Sequence, residues 1–240
     1  KTGTSVADVN GDGLLDIYVC YSGLETEEGR ANQLFINKGN GANKVPKFVD
    51  EAAAYGLDAK GSYSTQAVFF DYDLDGDLDM FLLNHSKTFY SPFYNSTKLR
   101  NTRHPFFGNS LYRNDGNNFV DVSESAGIYG SGLNFGLGVS ISDFNQDGWP
   151  DIYVSNDYDE QDFLYINKGD GTFLDSSKKS FGHISKFSMG NDAADLNNDG
   201  FMDLVTLDML PEDNYRQKIL KGSDDYDRYQ LAVDSSYHKQ

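Results

Sequence analysis

The chain has 240 residues, 38% of them hydrophobic, with 17 Phe and 16 Tyr, which is enough for one large all-β domain or two smaller ones. Its net charge of −17 excludes a surface built to grip a phosphate backbone, so no nucleic-acid partner is expected. The lone cysteine, Cys20, excludes an internal disulfide, and no apolar stretch approaches the roughly 20 residues of a membrane span.

The first predicted element is the acidic loop Asp8-Val9-Asn10-Gly11-Asp12-Gly13-Leu14-Leu15-Asp16. It lies so close to Lys1 that a processed or partial chain is expected. Oxygen-bearing side chains stand at positions 1, 3, 5 and 9 of the loop, and Gly13 at position 6 permits a sharp turn. Carboxylates packed this closely repel one another, and a hard divalent cation removes that repulsion. All-oxygen ligands without His or Cys suit calcium better than zinc. The predicted ligands are the side chains of Asp8, Asn10, Asp12 and Asp16 and the backbone carbonyl of Leu14. The strand Ile17-Tyr18-Val19 follows and runs into Cys20, read as a buried inert thiol. Next come Asn32-Gln33-Leu34-Phe35-Ile36-Asn37-Lys38-Gly39 and Lys47-Phe48-Val49-Asp50, two strands with Asn-Lys-Gly as the hairpin turn.

The same order recurs. Strand Gln66–Phe70 leads into a second loop, with side-chain ligands Asp71, Asp73, Asp75 and Asp79 and the carbonyl of Asp77, and then into Met80–Leu83. Asn109–Gly116 and Asn118–Asp121 supply the third and fourth strands. Strand Gly138–Ser142 leads into the third loop, with Asp143, Asn145, Asp147, Asp151 and the carbonyl of Trp149, followed by Ile152–Val154, Asp162–Gly169 and Thr172–Asp175. The fourth loop offers Asp195, Asn197, Asp199, Asp203 and the carbonyl of Phe201 before Leu204–Thr206, and there the unit stops. One such loop can be an acidic turn arising by chance; four with Gly at position 6 cannot reasonably be. An EF-hand fits worse, because position 12 is Val19, Leu82, Val154 or Thr206 rather than Glu and the flanks read as strands. A four-stranded antiparallel unit repeated at this spacing reads as a β-propeller blade. The expected blades span about 1–50, 62–122, 133–175 and, incomplete, 187–210, with a polar extension over 211–240 that contains a short helix near Tyr215–Leu220.

Phe135-Gly136-Leu137-Gly138-Val139-Ser140-Ile141-Ser142-Asp143-Phe144-Asn145-Gln146-Asp147-Gly148 and Met189–Gly200 resemble FG-GAP/VCBS repeats. Such repeats build the calcium-bearing propeller of integrin α-subunits. Residues 207–218 add a likeness to bacterial surface proteins of the cartilage-acidic-protein (ASPIC) type. The resemblance implies about four bound calcium ions, a part of a larger ring completed by further blades of the full-length protein, and an extracellular or bacterial outer-membrane surface location. It also implies a non-enzymatic module that binds a protein or glycan partner in an uptake or adhesion complex. The alternatives are a lyase- or hydrolase-type enzyme on a propeller scaffold, or a structural spacer. No catalytic residues are assigned: the four histidines are scattered, and no nucleophile elbow or phosphate loop is present.

The second blade carries an insertion, 85–108, that is basic and aromatic in an acidic chain. Its candidate partner-binding residues are Lys87, Tyr90, Phe93, Tyr94, Arg100, Arg103, Phe106 and Phe107; the bland reading is a long loop that packs its own aromatics. The run Ser155–Asp162 is expected to be a solvated acidic loop, with a further cation site as the alternative.

Overall fold

A computed structural model describes residues 1–23, 26–41, 43–88, 96–158, 160–185, 187–209 and 211–216. Three four-stranded antiparallel sheets follow one another along the chain. The first is β1 (Gly3–Ala7), β2 (Asp16–Cys20), β3 (Gln33–Asn40) and β4 (Pro46–Asp50). The second is β5 (Ser64–Phe70), β6 (Asp79–Asn84), β7 (Ser110–Asn114) and β8 (Phe119–Asp121). The third is β9 (Gly136–Ser142), β10 (Asp151–Asn156), β11 (Phe163–Asn167) and β12 (Phe173–Asp175). A pair, β13 (Ser188–Ala194) and β14 (Asp203–Asp208), begins a fourth. Each sheet is a meander in sequence order, as a propeller blade requires. Among the described residues the first and last sheets do not pair, so the ring is partial.

The core lies between blades, because successive side chains of a strand face opposite sides of its sheet. In β6, Met80 and Leu82 pack into a cluster with Tyr18, Leu34 and Ile36 of the first sheet. Phe81 and Leu83 pack the other way, against Ile152, Val154 and Tyr165 of the third. All four are fully buried, which is why β6 reads as a continuous apolar run rather than an alternating one. Cys20 sits in the first of these clusters, and burial pushes its thiol up to about 12, as an inert thiol should behave. In the fourth pair, Val205 and Leu207 are exposed.

The first strands of neighbouring sheets meet through small and hydroxylated residues. A Cβ on Gly3 would stand 2.2 Å from the Thr65 carbonyl oxygen, so that position admits no side chain without movement. Thr65 Oγ1 donates to the Gly136 carbonyl at 3.0 Å, Ser5 Oγ donates to the Ala67 carbonyl, and Ser140 Oγ donates to Asn191 Oδ1 at 2.5 Å. These hydroxyls link one blade to the next where the strands are too close for apolar bulk.

Several local expectations change. The Asn37-Lys38-Gly39 step is not the first hairpin turn: β3 runs on to Asn40, and the chain reverses over 41–45. The cause is length. Asn37 pairs with Phe48, whereas Asn114 pairs with Phe119 and Asn167 with Phe173, so the first hairpin carries extra residues. Gly39, at φ 76°, absorbs a register shift instead of closing the turn. The connections also hold helical turns that the strand pattern does not predict: α1 (Ala52–Tyr55), α2 (Ser96–Arg100), α3 (Ser177–Ser180) and a 3-10 turn at Glu28–Arg30. Outside Tyr158, which is exposed, the described residues of the run Ser155–Asp162 do not form a solvated loop. Ser155, Asn156, Asp157, Glu160, Gln161 and Asp162 are all buried, and the side chains of Asn156, Glu160 and Asp162 hydrogen-bond to the backbone of the same run. Of the polar extension, residues 214–216 are helical, and the rest of the expected helix and tail lies outside the described residues.

Candidate metal centres

Each acidic loop closes a β1–β2-type hairpin, and the four share one hydrogen-bond pattern. The position-1 carboxylate accepts the N–H groups of positions 5 and 6: Asp8 from Asp12 and Gly13, Asp71 from Asp75 and Gly76, Asp143 from Asp147 and Gly148, Asp195 from Asp199 and Gly200. The position-5 carboxylate accepts the N–H of position 7, that is Leu14, Asp77, Trp149 and Phe201, which fixes the peptides whose carbonyls the sequence assigns to the ion. The backbone turns left-handed twice. Position 6 is Gly13, Gly76, Gly148 or Gly200, but position 4 also has φ between 59° and 70° at Gly11, Leu74, Gln146 and Asn198. Leu74 is the costly one, since a branched side chain at positive φ is strained, and it is 53% exposed with little packing to lose. Leu74→Gly is therefore expected to raise stability by about 0.5–1 kcal/mol. Urea unfolding checks this, as an upward shift in midpoint at constant slope.

Position 9 ties the loop to the sheet. Asp16, Asp79 and Asp151 are fully buried; each accepts the N–H of position 2 with one oxygen and, with the other, the N–H of Asn37, Asn114 or Asn167 in the third strand, at 2.8 Å each. Burial pushes the Asp79 carboxyl up to about 7 and that of Asp151 up to about 6, against those hydrogen bonds. Asp203 takes the Leu196 N–H and is only half-buried, its strand pair having no third member among the described residues.

Position 3 separates the second loop from the others. Asn10 Nδ2 donates to Asp12 Oδ2 at 3.1 Å and Asn145 Nδ2 to Asp147 Oδ2 at 2.8 Å, so an amide quiets the neighbouring carboxylate. Asp73 has no proton to donate when ionised. One oxygen each of Asp71, Asp73 and Asp79 falls within 4.8 Å of the others, and Asp73 Oδ1 is buried with no hydrogen-bond partner. Desolvation, followed by the charge of Asp75, holds the Asp73 carboxyl above the usual range. Three converging carboxylates, one of them with a buried oxygen that has no hydrogen-bond partner, fit a hard divalent cation, which would supply the missing positive partner.

At the opposite end of the sheets the insertion packs onto its own molecule. Arg103 reaches the Ile128 carbonyl at 3.2 Å, the Asn109 carbonyl, and Ser110 Oγ at 3.3 Å. Phe107 is buried and stacks on His104 with ring centres 3.9 Å apart. Phe106 is half-buried against Gly61, Lys87 Nζ lies 5.2 Å from the Tyr63 ring centre, and Arg100 pairs with Glu160. Tyr90, Phe93 and Tyr94 lie outside the described residues.

His104 Nδ1 accepts the N–H groups of both Phe106 and Phe107 at 3.2 Å, a role that the protonated ring cannot fill. Desolvation lowers its pKa, so the unfolded chain binds the proton more readily. The stability that His104 contributes is expected to fall as pH drops below the ordinary imidazole value of about 6.5, and to level off below the depressed folded value, against the opposite trend of the raised Asp79 and Asp151 carboxyls. His104→Asn should flatten this acid limb in a series of melting curves.

One family model, described as an FG-GAP-like repeat, matches residues 4–82 and 143–206. The chain belongs to the FG-GAP-like repeat family. The match passes over 83–142, where the insertion and the outer half of the second blade lie. No curated protein matches the chain. Among solved structures, an Agrocybe aegerita lectin is similar at 21% identity, with a TM-score of 0.44. That lectin specifically recognises non-reducing terminal N-acetylglucosamine. The likeness covers 85% of this chain but 46% of the lectin's, so this FG-GAP chain spans about half of that structure.

The repeated Asn of the third strand, whose N–H meets the position-9 carboxylate, is a site residue that the sequence reading does not assign. Its regular recurrence at Asn37, Asn114 and Asn167 was the available signal.

Proposed function

We propose that this chain is a non-catalytic binding module in which calcium, held in four hairpin loops, rigidifies the blades so that the opposite face can engage a protein or glycan partner. The observation that carries the reading is the convergence of Asp71, Asp73 and Asp79, with one carboxylate oxygen of each within 4.8 Å of the others, at a loop where Asp73 Oδ1 is buried without a hydrogen-bond partner. FG-GAP repeats often bind calcium, and the four loops share one hydrogen-bonded geometry, so the same ion serves each. The metal end and the partner end are distinct: hairpins occupy one, and the second-to-third-strand connections occupy the other, with the inter-blade connectors.

The reading places the module outside the cell, at a bacterial surface in an uptake or adhesion complex, where calcium is plentiful enough for sites with dissociation constants on the order of 0.1–1 mM. No helix of the described residues is long and apolar enough to cross a membrane. Calorimetric titration of the chelated chain with calcium tests the proposal. About four sites per chain are expected. No heat, or the same heat from a chain with Asp71, Asp73 and Asp79 all changed to Ala, would remove it.

A further inference from the structure

At the end remote from the metal loops, the insertion of the second blade meets the third blade around a cavity of about 360 Å³. Arg100, Tyr129, Glu160, Gln161, Asp175 and Lys178 help to line it. The polar floor is fixed in place. Glu160, with a side chain only 1% exposed, accepts Arg100 Nη2 at 2.9 Å, Ser131 Oγ at 2.6 Å and the Gln161 N–H at 3.1 Å. Asp175 takes the N–H and hydroxyl of Ser177 on one oxygen and Gln161 Nε2, at 3.0 Å, on the other. A buried ion pair is a weak device for stability alone, since desolvation offsets most of the attraction. It does hold its groups in one geometry at the edge of an open cavity.

One wall is aromatic. The Tyr129 ring stacks on Phe163 with centres 5.4 Å apart and planes at 22°, and Phe163 stacks on Tyr165 at 5.3 Å and 23°. The two inner rings are buried, while Tyr129 is 42% exposed at the cavity. Two cations, Arg100 and Lys178, balance two anions, Glu160 and Asp175, so the lining carries no net charge in a chain of −17. This disfavours a metal ion, a phosphate or a basic peptide. A cavity on the first blade, lined by Tyr21 with Glu28, Asp50, Glu51 and Asp58, is acidic by contrast.

We infer that the cavity beside Tyr129 is a subsite for one neutral pyranose ring of a glycan. A sugar ring has a C–H face, slightly positive, that suits the negative face of an aromatic ring. Its edge carries hydroxyl pairs that suit planar carboxylate, amide and guanidinium groups. The volume lies at the small end of the roughly 300–1,000 Å³ of ligand pockets, and because the polar groups are already tied down, little ordering is lost on binding. The inference rests on the partner-binding reading above and narrows it to one site and one ligand class.

The test is saturation-transfer NMR of the full 240-residue chain in calcium, with methyl glycosides of neutral hexoses and N-acetylhexosamines as probes. At least one glycoside should bind. Tyr129→Ala and Leu174→Arg, which reaches into the cavity from an exposed strand position, should each weaken it roughly tenfold or more. Tyr129→Phe should retain it. Melting curves and chelator response show which variants are folded. If Tyr129→Ala is not, Leu174→Arg and Tyr129→Phe decide. Equal glycoside binding in wild type and in folded Tyr129→Ala or Leu174→Arg overturns the site. No glycoside binding by the wild type, or binding only of a neutral peptide that the same substitutions abolish, overturns the sugar assignment. In either case the calcium titration above still stands or falls by itself.

Discussion

Exhaustive chelation is expected to lower the melting temperature by more than the loss of any one site explains. A site held at a hundred times its dissociation constant stabilises the fold by about 2.7 kcal/mol, so two such sites already rival the roughly 5–15 kcal/mol that most domains have in total. The four loops are not equal. The second has four carboxylates in ligating positions, and its Asp73 Oδ1 has no partner, while Asn10 and Asn145 donate to their own position-5 carboxylates. The second loop should therefore be the last to release calcium in a chelator titration. Asp73→Asn should bring it level with the others and, by allowing an amide contact to Asp75, make the chelated protein more stable. A melting curve unmoved by EGTA would dispose of the ions as structural elements. A second loop that empties first would show that hairpin rigidity outranks charge count.

The blades were legible in the chain because the repeat carries three independent signals: the acidic loop, the Asn/Asp-x-Leu-Phe/Tyr strand and the Phe-x-Asp strand. The last of these has a reason that the pattern alone does not show. Asp121 and Asp175 accept the N–H and hydroxyl of the serine two residues on, and that hydroxyl in turn receives the N–H of Leu111 or Leu164, so the motif turns the chain toward the next blade. What stayed hidden depends on contacts distant in sequence. Residues 155–157 and 160–162 read as solvent-loving, yet the chain folds them inward, where the Asn156 N–H meets Asp162 and Glu160 meets Arg100 from another blade. The cavity beside Tyr129 likewise joins residues from an insertion, a connector and a sheet, and no local pattern places them together.

Asp79→Ala is expected to be far more damaging than Asp203→Ala, although the two residues hold the same position in the repeat. Asp79 is fully buried; Oδ2 accepts the Tyr72 N–H at 3.0 Å and Oδ1 accepts the Asn114 N–H at 2.8 Å, so one side chain joins the loop, the second strand and the third. Alanine would leave both donors buried without partners, at about 1–3 kcal/mol each, and remove one ligand from the cation. Asp203 accepts the Leu196 N–H at 3.0 Å and is half-buried, so water can replace it and the cost should be about 1 kcal/mol beyond the same lost ligand. Asp79→Asn should fall between, because its amide offers one acceptor where two are needed. Urea unfolding of the variants in saturating calcium isolates the difference between the two alanine variants, since ligand loss at position 9 is common to both. Equal losses at Asp79 and Asp203 would mean that the carboxylate acts through the ion alone. A gap of several kcal/mol would mean that the third strand is held by the same group that holds the metal, so that emptying the loop loosens the sheet.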